Sequence, residues 1–181
     1  MSAFDAVFLD RDGTLIDDPG YLSDPSCVAL RQGAAEAVGL LNEAGIPVIV
    51  VTNQSGIGRG YYTESDFRAV QAEVERQLAV HGSRLDAVYY CPHDPDAEIC
   101  ECRKPETGLF ERAAADLGIR LDRCLYIGDR VRDLTPGLAL GGDAILVAGS
   151  DGRYDGPVSE EVPQRESLLE AIRQAVPRSE P

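Results

Sequence analysis

Ala6-Val7-Phe8-Leu9-Asp10-Arg11-Asp12-Gly13-Thr14 is the stretch that decides the expected fold. Its first four residues are apolar, and a short apolar run of this kind predicts a buried β-strand. Asp10 follows the run directly, and Asp12 comes two residues later. A carboxylate where a buried strand ends is either a turn or helix cap, or part of a site at the edge of a sheet. The rest of the chain decides between these two interpretations.

Four more apolar runs follow, and helical patterns separate them. The predicted strands cover residues 6–9, 46–51, 85–90, 124–128 and 144–147. The predicted helices cover residues 33–44, 64–81, 106–117, a short segment that contains Pro136, and 165–176, while 149–163 has the composition of a loop. Strands that are apolar throughout and alternate with helices are typical of a parallel sheet covered on both faces. We therefore predict an α/β fold, a three-layer doubly wound parallel sheet of the Rossmann-like type.

Length and charge narrow the classes of protein to consider. A chain of 181 residues favours a single domain, residues 1–181. The formal net charge of −14 makes nucleic acid and anionic membranes poor partners, because the overall field repels polyanions. No apolar run approaches the length of a membrane span, and the first residues lack the pattern of a secretion signal. We expect a cytoplasmic monomer, since no predicted helix carries a spare apolar face.

Polar residues follow the first four predicted strands, at the sheet edge where open parallel sheets bind ligands. They are Asp10 and Asp12, Thr52 and Asn53, Arg103 and Lys104, and Asp129. Three carboxylates brought together repel one another unless a divalent cation holds them, and oxygen ligands favour magnesium. Thr52 and Lys104 would then donate hydrogen bonds to phosphoryl oxygens. The pattern predicts a magnesium site that handles a phosphate group.

A second group of candidate metal ligands lies in the loop after the third predicted strand. Its members are Cys91, His93, Cys100 and Cys102. Three thiolates and one imidazole are typical of a closed, structural zinc site. The alternative is a loop with reduced surface thiols and an unrelated histidine. We predict zinc, because four ligands lie within twelve residues. A metal clamp on this loop would fix Lys104, which lies just beyond it. Cys27 and Cys124 are expected to be packing residues, and His81 to end a helix.

The four polar segments, taken in order, resemble the motifs of the haloacid dehalogenase superfamily of phosphotransferases. Residues 10–14 resemble the first motif, Thr52-Asn53 the second, Lys104 the third and Asp129 the fourth. The resemblance implies that Asp10 is a nucleophile that forms an aspartyl-phosphate, and that Asp12 is the general acid and base. It also implies that magnesium is bound by Asp10, Asp129 and the Asp12 carbonyl group, with catalytic assistance from Thr52 and Lys104. Asp133 either supports this site or caps the start of a helix.

Further segments resemble the heptose-bisphosphate phosphatase family of that superfamily, whose close relatives are the histidinol-phosphate phosphatases. These segments are residues 18–21, 52–56, 58–60, 91–93 and 102–105. The resemblance implies removal of the 7-phosphate from D-glycero-D-manno-heptose 1,7-bisphosphate. It also implies a set of substrate-binding residues: Arg11, Asp18, Pro19, Gly20, Tyr21, Asn53, Gln54, Ser55, Arg59, Arg103 and Arg130.

Two departures from the family pattern bear on the substrate. The segment between the two pairs of zinc ligands is short, and Arg130 stands where relatives often have lysine. Arginine keeps the positive charge but presents a planar fork instead of a point charge. In addition, residues 15–32 are too few for an inserted cap domain between the first motif and the first helix. We expect an open site that suits a small sugar phosphate.

Three alternative functions remain open. A histidinol-phosphate phosphatase would use the same chemistry on a different alcohol. A phospho-accepting receiver domain would also gather Asp, Thr and Lys at one sheet edge, but with its acceptor after the third strand instead of the first. A zinc-stabilised binding module without catalysis would leave the cluster of acidic residues unexplained.

Overall fold

The computed structural model of the chain describes residues 4–154, 159 and 161–176. Six parallel strands form one sheet in the order β3-β2-β1-β4-β5-β6. The strands are β1 (Ala6–Leu9), β2 (Val48–Asn53), β3 (Ala87–Cys91), β4 (Cys124–Gly128), β5 (Asp143–Val147) and β6 (Gln164–Arg165). The predicted fold class, a doubly wound parallel sheet, is confirmed.

Helices connect the strands, and all but the one-turn α2 follow the pattern that the sequence predicts. They are α1 (Ala34–Glu43), the one-turn α2 (Ser55–Gly58), α3 (Glu64–Val80), α4 (Gly108–Leu117), α5 (Val131–Ala139) and α6 (Leu168–Ala175). Thr63 begins α3 with a capping box, in which its hydroxyl accepts from the Asp66 amide while the Asp66 carboxylate accepts from the Thr63 amide. His81 ends that helix, as expected.

The central strands β1, β2 and β4 bury both of their faces, which makes three layers. Val7 and Leu9 of β1 pack with α1, α3 and α6, while Ala6 and Phe8 pack with α4 on the opposite face. Successive residues of a strand point to opposite faces, so a continuously apolar strand must be covered on both. The Phe8 ring stacks on Tyr126 at 5.1 Å between centroids, which fixes β1 against its neighbour β4.

Most element boundaries lie within two residues of the sequence-based predictions, and the larger differences are near the end of the described chain. The segment predicted as loop up to residue 163 leads into the short edge strand β6, and α6 begins at Leu168 instead of residue 165. Gln164 and Arg165 carry no apolar pattern, and only their pairing with Leu146 and Val147 makes them a strand. Cys27 is exposed and not a packing residue, whereas Cys124 is buried as expected.

The strand order indicates where a ligand-binding site is expected. The chain moves outward from β1 to β2 and β3, then returns to β4 on the other side of β1. In open α/β sheets, ligands bind outside the carboxyl ends of the strands at such a reversal of order. Asp10 follows β1 and Asp129 follows β4, so both lie at this point. No helix in the described part of the chain is both long and apolar enough to cross a bilayer.

Candidate active site

Three carboxylates and one lysine meet in the interior, beneath the carboxyl ends of β1 and β4. Lys104 Nζ lies 2.6 Å from Asp10 Oδ1 and 2.8 Å from Asp133 Oδ1, and it also donates to the carbonyl oxygen of Val51 at 2.6 Å. Asp129 is the third buried acid. The structure therefore brings Asp10, Lys104 and Asp129 together, as the sequence predicts, and adds Asp133 to the group.

The electrostatics of this group favour a further positive charge. Burial raises the pKa of Asp10 to about 8; Lys104 opposes this rise, and the neighbouring acids add to it. Burial, together with Asp133, also raises the pKa of Asp129 to about 6. Burial would lower the pKa of Lys104, but Asp10 and Asp133 outweigh it and hold the lysine charged. One lysine thus faces three acids, and a divalent cation would relieve their repulsion.

The donor atoms fit magnesium. Carboxylate oxygens of Asp10, Asp129 and Asp133 all lie within 4.8 Å of one another, and hard oxygen ligands suit this ion. The backbone of Gly13 lies directly against the Asp129 carboxylate. A Cβ at this position would be 2.4 Å from Asp129 Oδ2, so a residue with a side chain does not fit there. Asp133 was expected either to support the site or to cap a helix, and it does both, since its carboxylate also accepts from the Arg130 amide at the start of α5.

Asp12 points away from this cluster and into a second network. Arg11 donates to both oxygens of Asp12 at 3.0 to 3.2 Å, and Gln54 Nε2 donates to Asp12 Oδ2 at 2.7 Å. Thr52 donates weakly to the same carboxylate at 3.4 Å. The Asp12 side chain is 21% exposed, against 10% for Asp10, so it faces the cleft. Its position suits proton transfer at the surface of the site.

Gln54 is the centre of that second network. It accepts from Arg11 Nη2 and from the buried Tyr62 hydroxyl, and it donates to Thr52 Oγ1 at 2.8 Å. All four of its partners are site residues or support them. Tyr62 lies in the glycine-rich loop after α2 and carries no motif of its own, so the sequence does not predict its place in the site.

Asn53 holds the backbone of Lys104 from both sides. Its Nδ2 donates to the Lys104 carbonyl oxygen at 3.0 Å, and its Oδ1 accepts from the Lys104 amide at 3.0 Å. This double contact joins the end of β2 to the loop that delivers the lysine. Asn53 lines the cleft, but its amide is already engaged with the protein.

The candidate zinc ligands form a compact cluster at the end of β3. The Sγ atoms of Cys91 and Cys100 are 3.6 Å apart, as are those of Cys100 and Cys102, and His93 Nδ1 lies 3.5 Å from Cys91 Sγ and 3.1 Å from Cys102 Sγ. A tetrahedral zinc ion with ordinary bond lengths requires about 3.8 Å between sulfurs and about 3.6 Å between sulfur and nitrogen. These sulfurs are too far apart for a disulfide, and all are free thiols. The four ligand atoms all lie within 4.8 Å of one another and could hold one metal ion.

Arg59, which the sequence predicts to bind substrate, is not among the residues that line the cleft. Its Nη2 lies 3.2 Å from Asp94 and 2.5 Å from Asp96, both in the loop between the zinc-ligand pairs. The Gly58 amide donates to the Pro92 carbonyl oxygen beside it. A Cβ at Gly58 would lie 2.4 Å from the Asp94 nitrogen, so α2 packs tightly on this loop. Arg59 stands between two glycines in the segment 58–60 that resembles the family, but its guanidinium group forms ion pairs with Asp94 and Asp96.

A cleft of about 250 Å³ opens above the carboxylate cluster. The predicted residues that line it are Asp10, Arg11, Asp12, Asp18, Gly20, Tyr21, Thr52, Asn53, Gln54, Ser55, Arg103 and Arg130. Pro19 is absent from this lining, and Lys104 and Asp129 lie buried beneath it. Arg132 also lines the cleft. The sequence does not predict this position, because a charged residue near the start of a helix is usually an ordinary surface residue.

The segment 18–21 forms one wall of the cleft. The Asp18 carboxylate accepts from the Gly20 amide at 2.9 Å, which tightens the turn. Tyr21 has a φ of 45°, a conformation that is rare for a residue with a side chain. Its ring rests edge-on against Tyr61, with 4.7 Å between centroids.

Comparison with known proteins agrees with this geometry. The HAD-hydrolase-like family model matches residues 101–172. A probable D-glycero-D-manno-heptose-1,7-bisphosphate 7-phosphatase of Thermoplasma volcanium is 41% identical over 124 residues, which cover 68% of this chain and 84% of that protein. The chain belongs to the haloacid dehalogenase-like phosphatases. A D-glycero-beta-D-manno-heptose-1,7-bisphosphate 7-phosphatase of Photorhabdus laumondii is 38% identical over 171 residues. The match covers 91% of this chain and 88% of that protein.

A solved structure extends the similarity to three dimensions. The D,D-heptose 1,7-bisphosphate phosphatase from B. bronchiseptica, complexed with magnesium and phosphate, superimposes with a TM-score of 0.86 at 31% identity. The match covers 93% of this chain and 97% of that one. The predicted resemblance to haloacid dehalogenase-like phosphatases is confirmed, as is the prediction that the chain is a phosphatase.

Proposed function

We propose that this phosphatase hydrolyses the 7-phosphate of D-glycero-D-manno-heptose 1,7-bisphosphate with magnesium, through an aspartyl-phosphate on Asp10. The observation that carries the proposal is Asp10 itself. It lies at the end of a central strand, 2.6 Å from Lys104, at the floor of a cleft that Asp12 also lines. The relatives named for this substrate support the choice of sugar.

Asp10 attacks phosphorus in the first half of the reaction. One of its carboxylate oxygens forms a bond to phosphorus while the bond between phosphorus and the sugar oxygen breaks. Asp12 gives its proton to the departing sugar oxygen, so the sugar leaves as a neutral alcohol. Lys104 lies next to Asp10 and balances negative charge on the transferring group. When bound, magnesium supplies further positive charge at Asp10 and Asp129, and the Asp12 carbonyl is proposed as an additional ligand.

Water completes the cycle in the second half. Asp12, now ionised, removes a proton from a water molecule that attacks phosphorus, and the bond to Asp10 breaks to release inorganic phosphate. The contacts from Arg11 and Gln54 hold Asp12 in place for both proton transfers. Thr52 is proposed to bind an oxygen of the reacting phosphate, Arg103 to recognise the rest of the substrate, and Tyr21 and Asp18 to contact the sugar.

We also propose that zinc is held by Cys91, His93, Cys100 and Cys102 and serves a structural role. Burial raises the pKa of Cys91, and burial together with its neighbouring thiols raises that of Cys102. A bound cation favours the thiolate forms that these pKa values otherwise disfavour. Four ligands close the coordination sphere and leave no position for substrate.

The remaining parts of the proposal concern the setting of the enzyme. We propose that it acts in the cytoplasm, because free thiols are typical of reducing compartments. We propose that it acts as a monomer on a small phosphorylated sugar and not on nucleic acid, in keeping with its net charge of −14.

The substrate is tested by two parallel assays with magnesium present. Phosphate release from D-glycero-D-manno-heptose 1,7-bisphosphate should exceed that from histidinol phosphate by at least a hundredfold in kcat/KM, on the order of what a lost set of polar contacts costs. A higher kcat/KM for histidinol phosphate would overturn the substrate and leave the aspartyl-phosphate mechanism in place.

A further inference from the structure

Two arginine side chains in the cleft have no partner among the described residues. Arg103 and Arg132 both line the cleft, and neither side chain makes a hydrogen bond or an ion pair within the described part of the chain. The other two arginines of the cleft are engaged, Arg11 with Asp12 and Arg130 with Asp129. The cleft therefore holds two cations that the protein itself does not neutralise.

Unpaired arginines are unusual in this chain. It has 31 acidic residues against 17 basic ones, so partners are plentiful. Most described arginines have an acid or a carbonyl group within reach, including Arg31, Arg59, Arg76 and Arg173. Arg153 is a third without a side-chain partner in the described residues, and it lies outside the cleft lining. Two unpaired cations in one concave site indicate that an anionic ligand is their partner.

The phosphate that reacts does not need both of these arginines. It is bound at Asp10, where Lys104, Thr52 and magnesium already provide positive charge and donors. Arg103 follows Cys102 directly, on the zinc loop, whereas Arg132 lies in the first turn of α5. The two side chains thus reach the cleft from different elements. An arginine fork recognises a phosphate with two parallel hydrogen bonds, so a pair of forks can hold a second phosphate.

We propose that Arg132, together with Arg103, forms a subsite for the second phosphate of a bisphosphorylated substrate. Arg132 is then a specificity-determining residue that favours bisphosphates over monophosphates. This inference rests on the proposed function, because it assigns the second phosphate of the substrate proposed above. It adds a contact for the phosphate that is not cleaved.

The test compares one bisphosphate with its monophosphate in the wild type, in Arg132→Gln and in Arg153→Gln. The pair is D-glycero-D-manno-heptose 1,7-bisphosphate and the 7-phosphate of the same sugar. In Arg132→Gln, KM for the bisphosphate should rise about tenfold, which is what one charge-assisted hydrogen-bonded contact is worth, while kcat changes little. The loss for the monophosphate should be much smaller, so the preference for the bisphosphate falls. Arg153→Gln removes an equally unpaired arginine elsewhere and should keep the wild-type preference.

The outcomes separate this inference from the proposed function. An equal loss for both substrates, or an unchanged preference in Arg132→Gln, overturns the subsite while the phosphatase stands. If the wild type does not hydrolyse the heptose bisphosphate, the proposed sugar is wrong, and the same comparison is made with fructose 1,6-bisphosphate and fructose 6-phosphate. Arg132→Lys provides a second readout: it should recover part of the bisphosphate preference, because it restores the charge without the fork. Failure of Arg132→Lys to exceed Arg132→Gln would contradict the assignment.

Discussion

The molecule has two candidate metal sites at neighbouring strand ends, and they are built in opposite ways. Asp10, Asp129 and Asp133 offer hard oxygen atoms, and a lysine already lies among them. The cluster at the end of β3 offers three sulfurs and one nitrogen at nearly tetrahedral spacing. The first opens to a cleft, and the second has four ligands and no free position. The oxygen ligands beside a cleft suit a catalytic metal ion, whereas the closed set of sulfur and nitrogen ligands suits a structural one.

The two sites are connected through Lys104. It follows the last zinc ligand, Cys102, by two residues, and Asn53 holds its backbone on both sides. Its side chain then enters the carboxylate cluster. A metal ion bound by the cysteine-histidine cluster would therefore restrict the loop that delivers Lys104 to the carboxylates. Each prediction below changes one of the two regions or the connection between them.

The largest effect is expected when the nucleophile is removed. Asp10→Asn should lower kcat by on the order of 10⁴-fold or more, because the amide cannot form the aspartyl-phosphate. Phosphate release with saturating magnesium measures it. Asp17→Asn is the matched control, since Asp17 is an exposed acid of the same segment that does not line the cleft, and it should retain activity. Magnesium-dependent turnover by Asp10→Asn would show that the nucleophile is misassigned.

Loss of the zinc cluster should have the next largest effect. Cys102→Ser should remove bound zinc and lower kcat about 10- to 100-fold, because the loop that carries Lys104 loses its clamp. Zinc content by elemental analysis and phosphate release are measured on the same sample. Cys27→Ser is the control, because Cys27 is an exposed thiol outside the cluster. Wild-type activity in a zinc-free Cys102→Ser protein would show that the catalytic site does not depend on the zinc cluster, and would contradict the proposed connection.

The connection itself is tested at Asn53. Asn53→Ala removes two hydrogen bonds to the Lys104 backbone and should lower kcat about tenfold. Each bond contributes about 1 kcal/mol, and relaxation of the loop offsets part of the loss. KM should change less than kcat, because Lys104 acts on the transferring group. The chain provides a close control: the Asn42 side chain holds the Arg84 backbone by the same pair of hydrogen bonds, far from the cleft. A similar loss of kcat in Asn42→Ala would attribute the effect to general stability.

The smallest expected effect is on the pH dependence of stability in the metal-free protein. The pKa of Asp10 is raised from 3.8 to about 8 on folding, so the folded state binds more protons than the unfolded state between these values. Stability of the metal-free protein should therefore fall as pH rises from 4 to 8. Asp10→Asn should flatten this slope, changing Tm by about 2 to 4 °C for each kcal/mol. Thermal unfolding in a chelator at several pH values measures it, and a slope that Asp10→Asn leaves unchanged would contradict the buried-charge account.

The sequence predicts the fold and the strand ends well, because both depend on local patterns. Apolar runs mark the strands, and topology brings Asp10 and Asp129 to the same edge. It predicts individual side-chain partners less well. Arg59 was expected at the substrate but pairs with Asp94 and Asp96, since partner choice depends on which loops pack together in space.

The site residues that the sequence does not predict share one property. Tyr62 and Arg132 carry no motif, and they reach the site only through the placement of α2 and the start of α5. Asn53 was recognised by its motif, yet its contact with the Lys104 backbone joins residues that are distant in sequence. The short strand β6 has the same origin, because it exists only through its pairing with β5.

The most direct test of the central claim is to trap the phosphorylated enzyme. In Asp12→Asn the water that completes the cycle lacks its base. With p-nitrophenyl phosphate and magnesium, the covalent phosphate should accumulate, because the departing p-nitrophenolate needs no proton from Asp12. Mass spectrometry of peptides after an acid quench should find the phosphate on Asp10, and the Asp10→Asn, Asp12→Asn double variant should carry none. Phosphate on another residue, or its presence in the double variant, would contradict the account.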